Sequence, residues 1–260
     1  MNSKMIAAAL LVMGALPAVA INGTLRPYSG EAKTGDIKWQ SRAKQYVISF
    51  KQGKTDVSAE YPLADVMGLD IPKPAGLDKA LAAAKNGQAA SALPLLTKTV
   101  ADYKMLVWDK VAARTLIEYY LKSGKTAEAS KIADGILADD KDAAFSGAFA
   151  PAYWAIMLKQ GKQEQLEKLL KRAVGTGDRA SSAYALSMRG DIILAQGGDK
   201  PENCRKALTD GFLRVVLMYT DPECVEARAE AMVKAASCFD KLGMASRAEE
   251  LRTKAKEISK

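Results

Sequence analysis

The sequence predicts a mainly α chain: an α-solenoid of about five helix pairs, preceded by a small antiparallel β-module. Three observations carry this. Glycines recur at Gly87, Gly124, Gly161, Gly198 and Gly243, at intervals of 37, 37, 37 and 45 residues. Around each of them apolar residues fall three and four apart, the spacing of a helix face. Residues 21–72 instead alternate with period two, the spacing of half-buried strands.

Taken in order, the chain opens "MNSKMIAAALLVMGALPAVA". One lysine, an apolar run and the small-x-small triplet Ala18-Val19-Ala20 have the form of a signal peptide, residues 1–20, cut after Ala20. The alternative is an uncleaved anchor, although the apolar run is shorter than a bilayer span and Pro17 interrupts its end. The mature chain is expected to be exported, periplasmic or secreted and envelope-associated, and not membrane-spanning once cut.

The β-module occupies residues 21–72. "GDIKWQ" puts Ile37 and Trp39 on one face, "QYVISFK" does so with Tyr46, Ile48 and Phe50, and "DVSAEY" with Val57, Ala59 and Tyr61. "YPLADVMGLDI" reads as a last short strand anchored by Val66 and Leu69. A sheet with one apolar face must curl on itself or be covered. A small barrel, SH3-like or Sm-like by analogy, satisfies this, and so does a sheet docked on the first helix pair.

The helical domain takes residues 73–260. Each recurring glycine ends a first helix, where a tight reversal needs a positive φ. Five residues later the second helix crosses closely, and Ala92, Ala129 and Ala248 are small there. Leu166 stands at that place in the third unit. In the fourth a longer turn, "GGDKPEN", delays the equivalent residue to Ala207. Seven residues before the glycine, Ala80 and Ala236 are small, as is Gly190 if Gly197 sets the fourth turn; Ile117 and Trp154 are large.

Composition limits the chemistry. Net charge is +8 with no histidine, so no His-dependent triad and no imidazole metal ligand exists. The basic excess is spread along the chain without aromatic interleaving, which argues against nucleic acid. "SGKT" at Ser123 to Thr126 lacks the first glycine and the preceding strand of a phosphate-binding loop. "KTG" and "SRAK" fall in hairpins, not in the order or on the helix a penicillin-interacting enzyme needs. "ADDKD" at 138–142 lacks the glycine and glutamate of a calcium loop and reads as a solvated connector. No catalytic residue, cofactor or metal is implied, so the chain is expected not to be an enzyme.

The repeated pattern resembles the tetratricopeptide repeat family, most clearly in "FLRVVLMYTDPECVEARAEAMVKAASCFDKLGMASRAEEL". That unit looks like the repeats of bacterial exported, periplasmic members. The resemblance implies a scaffold whose concave groove holds a peptide or helix of another envelope protein. It points the groove face at Arg114, Glu118 and Leu121, then Ala155 and Lys159, then Met188 and Ile192, then Val233 and Ser237. The rival expectation is an envelope polysaccharide- or peptidoglycan-binding protein, or a hydrolase accessory, acting through exposed Trp39 or Tyr28 of the β-module.

Three cysteines remain. Cys224 and Cys238 are expected on one helix, too far apart to pair, whereas Cys204 and Cys238 stand level about a turn near Asp221. A Cys204–Cys238 disulfide is one reading, and three buried small apolar residues the other.

Overall fold

The computed structural model describes residues 19–198 and 200–259. The signal-peptide reading of residues 1–20 therefore lies almost wholly outside the described residues. The chain divides into two compact units at Ile71/Pro72.

The first unit is a five-stranded antiparallel sheet. Its strands are β1 (Ile21–Pro27), β2 (Lys33–Gln40), β3 (Gln45–Gln52), β4 (Thr55–Pro62) and β5 (Val66–Asp70), in spatial order β4-β3-β2-β1-β5. A meander runs from β1 to β4, and a 3-10 turn at Leu63–Asp65 returns β5 to the open side of β1. Strands β4 and β5 are left as the edges of the sheet. The β3–β4 hairpin closes in two residues because Gly53 takes φ 65° at the first central position, the turn geometry that matches strand twist. Alternation buries Leu25, Ile37, Trp39, Tyr46 and Ile48 together. Val47, on the opposite face of β3, is buried as well.

The second unit is built of helix pairs: α1 (Leu77–Lys85) with α2 (Ala89–Asp102), α3 (Trp108–Lys122) with α4 (Thr126–Asp139), and α5 (Ala150–Lys159) with α6 (Gln163–Gly175). Helix α7 (Arg179–Gly197) turns into α8 (Pro201–Ala207), which runs through a π turn at Leu208–Phe212 into α9 (Leu213–Met218). The last pair is α10 (Val225–Lys241) and α11 (Ala245–Ile258).

The turn glycines do what their spacing implies. Gly124 has φ 72°, its N–H donates to Leu121 O at 3.2 Å and the next N–H to Tyr120 O at 2.8 Å. That double bond pattern satisfies the orphan carbonyls of α3. Gly87, Gly161 and Gly243 repeat it. Gly198 also has a positive φ, 69°, but makes a single bond to Leu194 O, as befits the longer fourth turn. It is thus Gly198 that reverses the chain. Gly197 remains the last residue of α7.

The crossing positions are closed. Ala92, Ala129, Leu166, Ala207 and Ala248 are all 2% exposed or less. Gly190 is small for its own reason: a Cβ there would fall 2.6 Å from the Phe212 ring, and one on Gly211 would fall 2.8 Å from the Gly190 backbone. The π turn thus rests directly on α7. Trp154 fits a usually small position because its indole N–H donates to Ala144 O at 2.8 Å, while the ring fills the core beside Leu166, Leu170 and Tyr184.

Two connectors differ from expectation. Asp139 is buried and paired with Lys104 at 2.6 Å, and Asp140 pairs with Lys110, so "ADDKD" ties the second pair to the loop before α3 rather than sitting in solvent. Cys224 lies in a 3-10 turn ahead of α10, not on the helix that carries Cys238.

Candidate functional site

The first helices of the pairs, α1, α3, α5, α7 and α10, line a cleft of about 1280 Å³, closed on one side by the last turns of α11. Each contributes a stripe at helical spacing. On α3 the stripe is Arg114, Glu118 and Lys122; on α7, Tyr184, Met188 and Asp191; on α10, Glu226, Glu230 and Lys234. Between the charges, Ala155 of α5 and Ala229 and Val233 of α10 give an aliphatic floor, with Ile258 of α11 beside it. Val233 is 50% exposed, a large apolar side chain turned to an open cleft.

At the centre stands Arg114, buried to 7% exposure. Its Nε donates to Glu118 at 2.9 Å, one Nη to the Tyr184 hydroxyl at 3.2 Å, and the other to Glu230 of α10. Glu226 lies 3.4 Å from the guanidinium, which also sits over the Tyr184 ring at 5.2 Å. Burial works against this charge, but Glu230, together with Tyr184, Glu226 and Glu118, outweighs it and raises the guanidinium pKa. Burial pushes the Glu230 carboxyl above the usual range, with Arg114 and Lys234 opposing. Tyr184 is raised by burial too. One turn along, Lys234 bonds Asp191 at 2.5 Å.

A carboxyl of raised pKa in a cleft is one profile of a general acid, but ion-pair networks produce the same shift. Glu230 is already engaged by Arg114, whose side chain bridges α3 and α10 across the cleft. The arrangement joins distant helices, and it presents charged rims over an apolar floor.

Of the residues read from sequence, the structure brings Arg114, Glu118, Ala155, Met188 and Val233 to the cleft. Arg114 lines the cleft while also bonding Glu118, Tyr184 and Glu230 within the chain. Leu121 instead packs on the cluster of Ala113, Ile117 and Ile136 beneath α3, since one residue before cleft-lining Lys122 turns it away from the cleft. Ile192 is core, 5% exposed. Lys159 and Ser237 are exposed outside the cleft, the Ser237 hydroxyl donating to Val233 O. Sequence reading missed Tyr184, Glu226, Glu230, Lys234 and the α11 wall. The i, i+4, i+8 row of Glu226, Glu230 and Lys234 was the available signal.

Trp39 is 3% exposed and packs on Tyr46 at 4.9 Å, so it offers no rim platform; Tyr28 remains 72% exposed. Cys204 and Cys238 share one apolar cluster with Phe212, Phe239 and Ala248. All three cysteines are buried. Among the described residues no helix is long and apolar enough to cross a membrane, and no group of acidic, cysteine or histidine side chains could hold a metal.

No family model matches this chain, and no curated protein does. Among solved structures, it is similar to two crystal structures of nearly identical TPR-like repeats assigned to a kinesin light chain of Podosopora anserina, the second being a single-substitution variant of those repeats. Each shows 16% identity over 70% of this chain and 92% of that one, with a TM-score of 0.37.

Proposed function

We propose that this chain is an exported, non-enzymatic scaffold that holds a segment of another envelope protein in the cleft of its helix pairs. The observation that carries the reading is the cleft itself: five first helices supply its walls, and its aliphatic floor is open at Val233. Stacked helix pairs bind partners on such concave surfaces. Export rests on the character of the first twenty residues, with the cut falling just ahead of β1. The rival reading, a polymer held by the β-module, loses support with Trp39 buried.

The test is photo-crosslinking in cells with a reactive residue at Val233, against a control at Lys131 on α4. Crosslinks to a discrete envelope protein from Val233 alone are expected, persisting when residues 21–72 are removed. Equal crosslinking at Lys131, or loss with the β-module, would move the site. Mass spectrometry of the purified protein should find an N-terminus at Ile21, and an intact Met1 would overturn export.

A further inference from the structure

Resting on the cleft reading above and deepening it, we propose that the seated segment is a short peptide with acidic residues at one end. Its carboxylates meet Lys85, Lys122 and Lys256, and its apolar residues lie over Ala155 and Val233.

The three lysines come from α1, α3 and α11, far apart in sequence, and converge on one cleft. Each is solvent-exposed, and none makes a hydrogen bond or ion pair among the described residues. The other cations of the cleft are committed: Arg114 to Glu118, Glu226 and Glu230, Lys234 to Asp191, and Arg252 to Asp240. Helix dipoles favour a basic residue in a last turn. They do not require three such residues to line one cleft, where their like charges repel. An anion between them removes that repulsion and gains charge-assisted hydrogen bonds.

The rest of the cleft sets polarity. Arg114 and Lys234 face Glu118, Asp191, Glu226 and Glu230, two positive charges against four negative. Acidic side chains are repelled there, which confines them to the lysine end and leaves the middle for uncharged or basic residues. A peptide is favoured over an acidic glycan because the floor is aliphatic. The aromatic ring on the wall among the described residues, Tyr184, is 8% exposed and already under Arg114. Sugars bind best against open aromatic faces.

The test is fluorescence anisotropy of the full chain with labelled peptides of leucine, valine and serine that carry three terminal glutamates, glutamines or lysines. Polygalacturonate serves as a competing acidic glycan. The glutamate peptide is expected to bind about tenfold or more tightly than the glutamine one, with affinity falling as salt shortens the screening length. The double variant Lys122→Glu, Lys256→Glu should reverse the preference toward the lysine peptide, with an unchanged melting temperature showing that it folds. Equal binding of all three peptides, no binding of any, unaltered binding by the double variant, or displacement by polygalacturonate each overturns the acidic-peptide proposal. A second variant, Ala155→Gln with Val233→Gln, separates that failure from failure of the cleft reading. If it binds the glutamate peptide as tightly as the native chain, the cleft is not the site at all.

Discussion

Arg114 of α3 and Glu230 of α10 are hydrogen-bonded across 116 residues of sequence. Neither helix belongs to a neighbouring pair of the other, so this contact links the second unit of the solenoid to the last. With Glu118, Glu226 and Tyr184 it forms a node that holds the two walls of the cleft at one spacing.

Replacing Arg114 by methionine should therefore cost stability as well as binding. Removing one partner of a buried pair costs about 3–5 kcal/mol, and the 37% exposure of Glu230 lowers this to about 1–3. The exchange Arg114→Glu with Glu118→Arg is expected to destabilise too, because an arginine one turn along does not inherit the position facing both Tyr184 and Glu230. Urea midpoints check both variants. Faster amide exchange should concentrate in α3 and α10.

A second test uses pH. Asp109 at the start of α3 is 1% exposed, accepts the Met105 N–H at 2.7 Å, and leaves its other carboxylate oxygen without a hydrogen bond. It holds a strained loop in which Val107, at φ 75°, centres a γ-turn closed by Trp108 N–H to Leu106 O. Burial, against the Met105 N–H and Lys110, raises its pKa. The folded state then binds the proton more tightly than the unfolded chain. The contribution to stability is fully present below the ordinary carboxylate range and is lost as pH rises through the raised value. Asp109→Asn keeps an acceptor for Met105 and removes the titration. Its urea midpoint should vary less than that of the native chain between the ordinary carboxylate range and neutrality; identical pH profiles would refute the assignment.

The parts of the fold that depend on a few consecutive residues were legible in sequence. Gly124 was readable because a Schellman turn is decided by one backbone conformation, and Ala129 because its crossing lies five residues away. The Arg114–Glu230 contact was not, since it depends on small rotations accumulated over two intervening pairs. Leu121 shows the same limit within one helix: it neighbours cleft-lining Lys122, yet a step of about 100° about the axis puts it in the core. Strand β1 alternated Gly23, Leu25 and Pro27 inward, but glycine and proline hid the pattern.

Gly124 gives a third prediction. At φ 72° no atom lies within 4 Å of the place its Cβ would occupy, so substitution meets backbone strain and not crowding. Gly124→Val should cost about 1–2 kcal/mol, with Gly124→Asn well below it because asparagine tolerates the left-handed region. Thermal melts of the pair decide this. Equal losses would point to sterics instead.

The last prediction concerns Cys204 and Cys238. Both are buried in the cluster formed where α8 and the π turn meet α10, with Ala207, Phe212 and Ala235 around them. Cys224, in its own turn, belongs to a different cluster with Ala227 and Val216. If the protein reaches an oxidising compartment, Cys204 and Cys238 are the pair expected to join and Cys224 the thiol left over. Closing a loop of about 35 residues would add roughly 3–4 kcal/mol by restricting the unfolded chain. Peptide mapping without reductant, on protein taken from its native compartment, reads the outcome directly. A Cys204–Cys238 peptide supports both the pairing and export; three alkylatable thiols would leave the cysteines as apolar packing and remove the staple.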